Sequence, residues 1–316
     1  TFTVNDLNGC TKTVTTNLNQ PPVLVPNGSS SNILCNGICS GSAQVSPSGG
    51  TPGYTVNWST GATNTTAINN LCPGGYTATI TDANGCTATY TTNITQPTSI
   101  TVVPSQTNVS CFGLCDATAS VSVSGGVSPY SYTWSCSGSI TNSASGLCVG
   151  NCTVTIKDNN NCIKTQSFTI TQPGSITIVP STTAALCNGS CNGKVSFTVN
   201  SGSPAFNYTI TPGSITGIAN PTANVNNLCA GNYTINVKDT NNCTQIQTFT
   251  ITQPPVLSGT VNVTNVTCNG LCNGSATLTP GGGTPPYTFT WSPGSQTINP
   301  ISSLCAGNYS VLVKDA

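Results

Sequence analysis

The chain has 316 residues and no net charge, with six Lys, six Asp and no Arg, Glu, His or Met. A charged fraction of only 4% leaves no basic patch for nucleic acid or for an anionic membrane. Without His, Glu or Arg, the usual general bases and oxyanion partners of an enzyme are also absent. Thr, Ser, Asn and Gly supply the polarity. Thr, Val and Ile alternate with polar residues in run after run, which marks folded strands rather than disorder.

In chain order, Asp6-Leu7-Asn8-Gly9-Cys10 lies in a first partial unit, residues 1–21, which ends on Gln20-Pro21. A complete unit follows at 22–97. Val23–Val25 reads as an edge strand behind Gln-Pro-Pro, a place where proline is tolerated. Gly41–Val45 is a second strand, stopped by Pro47-Ser48-Gly49-Gly50, and Tyr54–Ser59 alternates cleanly as a third. Thr65–Leu71 is weaker and Tyr76–Thr81 strong. Asp82-Ala83-Asn84-Gly85 then turns the chain, and Cys86–Ile94 runs back beside it. Apolar residues recur nowhere at helical spacing. The same marks return in units 98–173, 174–254 and 255–316, the last stopping before its final strand. A repeat of this length means an array of small modules, and the chain reads as a window on a longer one, without a signal peptide or membrane span inside it.

Six or seven short strands per module, punctuated by Gly, Pro and Asn, predict immunoglobulin-like antiparallel β-sandwiches. Trp58, Trp134 and Trp291 share one position and are expected as buried core anchors. The third module has Ile210 there. Tyr76, Tyr233 and Tyr309 open the penultimate strand, where a tyrosine corner belongs. Ile94-Thr95-Gln96-Pro97 and its counterparts run from one module into the next with no Gly/Ser linker, and proline stiffens the step. The expectation is an elongated rod.

All 18 cysteines stand at repeating positions or add a pair to one module, which indicates an oxidising compartment and disulfides. Zinc would favour tight Cys-x-x-Cys knuckles, whereas each module has Cys-x-x-x-Cys and two distant single cysteines. A core this small is marginal, and each bridge stabilises it by about 2–4 kcal/mol. A local Cys35–Cys39 bond closes the least useful loop. Of the two remaining connectivities, Cys35–Cys86 with Cys39–Cys72 is preferred to Cys35–Cys72 with Cys39–Cys86. In the other modules this gives Cys111–Cys162 with Cys115–Cys148, Cys187–Cys243 with Cys191–Cys229, and Cys272–Cys305. Cys136 and Cys152, present only in the second module, form an extra pair, with Cys152 at the tyrosine-corner position. Cys10 and Cys268 are left without partners.

Cys35 to Ala43, Gly49 to Ser59, Leu71 to Thr77 and Asp82 to Cys86 together resemble the SprB repeat of Bacteroidota surface proteins, and Cys268 to Ala276 with Gly282 to Tyr287 resembles it more closely still. The resemblance covers essentially the whole chain. It implies large, secreted cell-surface adhesins, some moved along the cell in gliding motility and exported by the type IX secretion system. Many members keep only the first and last cysteine of the frame, which supports Cys35–Cys86. The third module departs, with Ser203-Pro204-Ala205-Phe206 in place of Gly-Thr-Pro-Pro-Tyr.

Five of the six Asp (Asp6, Asp82, Asp158, Asp239, Asp315) are one position repeated, where Asp caps a turn through its own side chain. Calcium needs six to eight oxygens, several from carboxylates, and one Asp per turn is thin. No metal, cofactor or catalytic residue is expected. The reading is a structural or adhesive rod in an extracellular stalk or filament. Its partners are neighbouring repeats and further copies in a fibre, with no nucleic acid and no membrane insertion. The alternative is an array of modules that bind surface glycans through loops and exposed aromatics, and burial of the equivalent tryptophans decides between the two.

Overall fold

The computed structural model describes residues 1–316, and every regular element in it is a β-strand. The chain divides into two compact units, one of residues 1–107 and 117–170, the other of residues 108–116 and 171–316.

The first unit begins with a two-stranded hairpin, β1 (Phe2–Asn5) and β2 (Thr11–Val14). A first sandwich follows as β3 (Gly28–Ser31), β4 (Gly41–Val45), β5 (Thr55–Trp58), β6 (Ala67–Leu71), β7 (Gly74–Thr81) and β8 (Thr87–Ile94). These make two antiparallel sheets, β3-β4-β6 and β5-β7-β8, the strand pairing of an immunoglobulin-like sandwich without its D strand. The remainder of the unit repeats this layout with β9 (Thr101–Gln106), β10 (Ala117–Ser124), β11 (Ser131–Trp134), β12 (Ser143–Leu147), β13 (Gly150–Lys157) and β14 (Ile163–Ile170), in sheets β12-β10-β9 and β11-β13-β14.

In the second unit, a third sandwich module comprises β15 (Thr177–Thr183), β16 (Gly193–Asn200), β17 (Phe206–Thr211), β18 (Ile215–Ala219), β19 (Thr222–Leu228), β20 (Gly231–Lys238) and β21 (Thr244–Ile251). Its sheets are β15-β16-β19 and the four-stranded β18-β17-β20-β21. Residues 255–316 supply β22 (Ser258–Thr264), β23 (Gly274–Gly281), β24 (Thr288–Ser292), β25 (Ile301–Leu304) and β26 (Ser310–Lys314), in sheets β22-β23-β25 and β24-β26.

Alternation along the strands sets the cores. In β4, Ala43 and Val45 point inward while Gln44 is exposed, and with Val56, Trp58, Ala78, Ile80 and Ile94 they fill the space between the sheets. The first strand corrects the sequence reading. Val23–Val25 forms no strand; Val25 makes one isolated bridge to Ser48, and the edge strand is Gly28–Ser31, exposed at every residue. A fully solvated polar edge carries no hydrophobic alternation, so the apolar run before it drew the assignment instead.

The third module replaces tryptophan with several smaller gains. Ile210 is fully buried among Phe197, Phe206, Tyr208 and Ala219, and Phe197 meets Tyr208 edge to face with centroids 5.0 Å apart. The added strand β18 pairs with β17 throughout, and its Ala219 closes the core on that side.

Candidate functional site

Strand directions decide what each end of a module holds. In the sandwich of β3 to β8, β4 pairs antiparallel with β6, and β5 with β7. The chain leaving Trp58 therefore runs back the length of the sandwich before β6 begins at Ala67, with Val45 N–H donating to Thr66 O on the way. As a result the β3–β4 loop and the β6–β7 turn share one end, while the β4–β5 loop and the β7–β8 turn share the other.

The first end is built around the Cys-Asn-Gly loop. Gly37 holds a positive φ of 82°, a conformation costly for residues with a Cβ. Its N–H donates to Gln96 Oε1 at 2.9 Å, and Asn36 Nδ2 donates to Pro97 O at 2.9 Å. Gly189 and Asn188 repeat these bonds to Gln253 and Pro254 at 2.8 and 3.0 Å, and Gly113 donates to Gln172 at 2.9 Å. The Asn-Gly and the distant Gln-Pro are thus two halves of one clamp, a role that sequence reading did not assign to them. Cys39–Cys72 closes this end with Cα atoms 4.1 Å apart, and Cys191–Cys229 and Cys272–Cys305 do the same in their modules. Cys115 and Cys148 are also disulfide-bonded.

A buried carboxylate organises the opposite end. Asp82 Oδ1 accepts the N–H groups of Asn84 and Cys86, each at 2.9 Å, and its Oδ2 accepts Thr51 N–H from the β4–β5 loop at 2.9 Å. Chiefly through the Thr51 bond, and against the cost of burial, its pKa is held below the ordinary value. Asp158 and Asp239 are buried in the same way and accept from Val127 and Ser203. Gly50 leaves room for this carboxylate, since a Cβ there would stand 2.7 Å from Asp82 Oδ2. Tyr54 OH donates to Gly49 O at 2.6 Å, which accounts for the recurring Gly-Gly-Thr-Pro-x-Tyr. These carboxylates spend their lone pairs on amides, and no cluster of three potential ligands is present for a metal.

The two kinds of end meet covalently. Cys35 bonds to Cys162 with Cα atoms 5.6 Å apart, across 127 residues, and Asn160 Nδ2 donates to Leu34 O at 2.9 Å beside it. In the second unit Cys111 bonds to Cys243 at the same Cα separation of 5.6 Å, across 132 residues, and Asn241 Nδ2 donates to Ser110 O at 3.1 Å. Asp116 secures that loop. It accepts the Ser110 hydroxyl and, at 2.9 Å, the Ser110 N–H, and these bonds lower its pKa, the hydroxyl most.

Three expected bridges, Cys35–Cys86, Cys111–Cys162 and Cys187–Cys243, are therefore corrected. The physical reason is distance. Within one module the two cysteines lie at opposite ends of β8, and eight extended residues span about 27 Å, whereas a disulfide requires Cα atoms within about 7 Å. Cys86 and Cys187 join Cys10 and Cys268 as free thiols, all four exposed. Cys136–Cys152 ties the end of β11 to β13, with Cys152 buried.

The tryptophans form no exposed platform. Trp58, Trp134 and Trp291 are each at most 4% exposed. The indole N–H of Trp58 donates to Thr65 O at 3.0 Å and that of Trp134 to Thr141 O at 2.9 Å. Trp134 also stacks on Phe168. Tyr76, Tyr233 and Tyr309 donate to the carbonyls of Cys72, Cys229 and Cys305, four residues upstream, at 2.9, 3.0 and 3.2 Å. This bond pins the turn that carries the bridging cysteine.

Residues 27–63, 103–139 and 260–296 all fall on one described family. These three segments match the SprB repeat. Each SprB match runs from the first strand through the tryptophan strand of its module. The third module, where Ile210 replaces tryptophan, contains no matched segment. No curated protein sequence matches the chain. Among solved structures, the chain is similar to a tetra-tandem repeat in the extending region of a large adhesion protein at 14% identity, covering 87% of this chain and 86% of that one with a TM-score of 0.24. It is also similar to titin domains I67–I69 at 10% identity, covering 75% and 99% with a TM-score of 0.33. The N-terminal eight immunoglobulin domains of the Down syndrome cell adhesion molecule match at 11% identity, covering 98% and 71% with a TM-score of 0.22.

Proposed function

We propose that this array of immunoglobulin-like modules is a tension-bearing segment of a secreted, cell-surface protein, a rod that serves in an adhesive stalk or an extracellular filament. The proposed modules are residues 22–97, 98–173, 174–254 and 255–316, with 1–21 closing a preceding one. One observation carries the reading: the repeating disulfide that joins the Cys-x-Gly loop of one module to the β-turn of the module after it. Such a bond adds nothing to a binding surface. It gives the array a covalent path parallel to the backbone at both bonded junctions, and the Gln-Pro clamp fixes the loop that carries it. Cross-links closing loops of ~100 residues restrict the unfolded chain by about 4.7 kcal/mol.

The SprB resemblance supports the extracellular location, and under this reading the segment belongs to the surface adhesins of Bacteroidota, including those of gliding motility and type IX export. Burial of all three tryptophans removes the stacking surface that the glycan-binding alternative needs. Small-angle scattering of the oxidised chain tests the rod. The expected maximum dimension is several times the cross-section, and a compact globule contradicts the proposal.

A further inference from the structure

Both bonded junctions carry the same polar contact beside the disulfide. Asn160 Nδ2 donates to Leu34 O at 2.9 Å, and the Cys162 sulfur lies 3.4 Å from that same oxygen. In the second unit Asn241 Nδ2 donates to Ser110 O at 3.1 Å, and the Cys243 sulfur again lies 3.4 Å away. Each carbonyl belongs to the residue just before the loop cysteine. It faces an Asn and a Cys that stand two residues apart in the turn of the following module.

Both halves of the contact are held in shape by their own modules. Asp158 Oδ1 accepts the N–H groups of Asn160 and Cys162, each at 2.9 Å, and Asp239 Oδ1 does the same for Asn241 and Cys243. Asn161 and Asn242, between those pairs, take positive φ of 67° and 68°, which Asn tolerates better than most residues. On the loop side, Gly37 and Gly113 are clamped by Gln96 and Gln172. Apolar contact contributes less. A cleft of about 380 Å³ lined in part by Ile38, Pro97 and Ile100 lies beside Cys35–Cys162. Another of about 390 Å³, lined in part by Leu114, Pro173 and Ile176, lies beside Cys111–Cys243. Ile38 stays 55% exposed and Leu114 49%, so the directional element at each junction is the Asn–carbonyl bond.

We propose that this contact is a recognition surface that works without the disulfide. The turn of one module docks through Asn160 or Asn241 on the carbonyl before the loop cysteine of the preceding module, and the covalent bond then forms between sulfurs already in place. With the thiols reduced, the Cys162 S–H joins Asn160 as a second, weak donor to Leu34 O. Asn160 and Asn241 are thus positioning residues, acting on the sulfur through the turn that holds them both. In the closing step the Cys35 and Cys162 thiols give up two protons and two electrons to an oxidised small-molecule disulfide such as oxidised glutathione, which leaves as two thiols. Docking of preorganised halves raises the effective concentration of one sulfur at the other. Cys35 therefore selects Cys162, and Cys111 selects Cys243, among the 18 cysteines of the chain. The proposal rests on the loop-to-turn reading of the junctions, and its test separates the two.

The reduced chain is equilibrated in glutathione redox buffers at neutral pH, alkylated and mapped without reduction. Absence of a Cys35–Cys162 peptide from the wild type would overturn the junction reading itself. Asn160→Ala should lower the equilibrium constant for Cys35–Cys162 about fivefold, the worth of one neutral hydrogen bond, and leave Cys39–Cys72 and Cys111–Cys243 unchanged. Asn160→Asp keeps the shape of the side chain but has no N–H to donate, and it should lose at least as much. A wild-type constant in that variant, or a loss shared equally by Cys39–Cys72, would overturn the recognition surface and leave the junction bond standing. Asn241→Asp should act in the same way on Cys111–Cys243 alone. In Cys35→Ser with Cys162→Ser, the side-chain amide of Asn160 should still exchange its hydrogens more slowly than an unbonded asparagine; exchange at the free rate would show that docking needs the bond and would contradict the proposal.

Discussion

Cys35 and Cys39 stand four residues apart in one loop and bond in opposite senses. Cys39 reaches Cys72, 33 residues away at the same end of its own sandwich, and Cys35 reaches Cys162, 127 residues away in the next module. The first staple holds a module together; the second holds the array together. A module thus presents one end closed by a disulfide and the Gln96 clamp, and another closed by the Asp82 carboxylate, and each end contributes one cysteine to a junction. The lesson is that bridging residues close in sequence do not share a task when a turn aims them differently.

The largest effect follows from breaking the junction bond. Stretching single oxidised molecules should leave residues 35 to 162 inextensible end to end. Adding reductant should release up to the whole sequence separation of 127 residues, on the order of 400 Å of extended chain. Equal contour lengths in both states would contradict a junction bond that bears load. The same comparison at equilibrium uses Cys35→Ser against Cys39→Ser with Cys72→Ser. Loss of the long loop should cost about 4.9 kcal/mol and loss of the short one about 3.7 kcal/mol, read from denaturant unfolding.

Removing a packing anchor acts inside one module only. Trp58→Ala should destabilise module 22–97 by about 3–5 kcal/mol and leave the Cys111–Cys243 peptide unchanged in non-reducing maps. Gln96→Ala touches the loop clamp alone, and about 1 kcal/mol is expected for one hydrogen bond, seen as faster reduction of Cys35–Cys162 by dithiothreitol. The smallest effect concerns acid. Since Asp82 is held below its ordinary value of 3.8, its contribution is complete above that value and is lost as pH falls through the lower folded one. Asp82→Asn should flatten the acid limb of the unfolding profile below about pH 4, and an unaltered limb would show that the Thr51 bond does not stabilise the turn.

Much of this was legible in the sequence. Gly41–Val45 is a strand as expected, and the pairs Cys39–Cys72 and Cys136–Cys152 stand in the structure. The edge strand was not legible, because Gly28–Ser31 buries nothing and so carries no pattern. The junction bond was hidden for a topological reason. Counting strands as simple hairpins puts the Cys35 loop and the Cys86 turn at the same end. Residues 59–66 carry the chain back along the sandwich instead, and that crossing places them at opposite ends. One signal was present: Gln-Pro recurs with Cys-x-Gly in every complete module, and the two meet in one clamp.

Non-reducing peptide mapping of the native chain is the most direct test of this account. It predicts a disulfide-linked peptide pair containing Cys35 and Cys162, with another containing Cys111 and Cys243. Recovery of Cys35 joined to Cys86, or of Cys111 joined to Cys162, would contradict it.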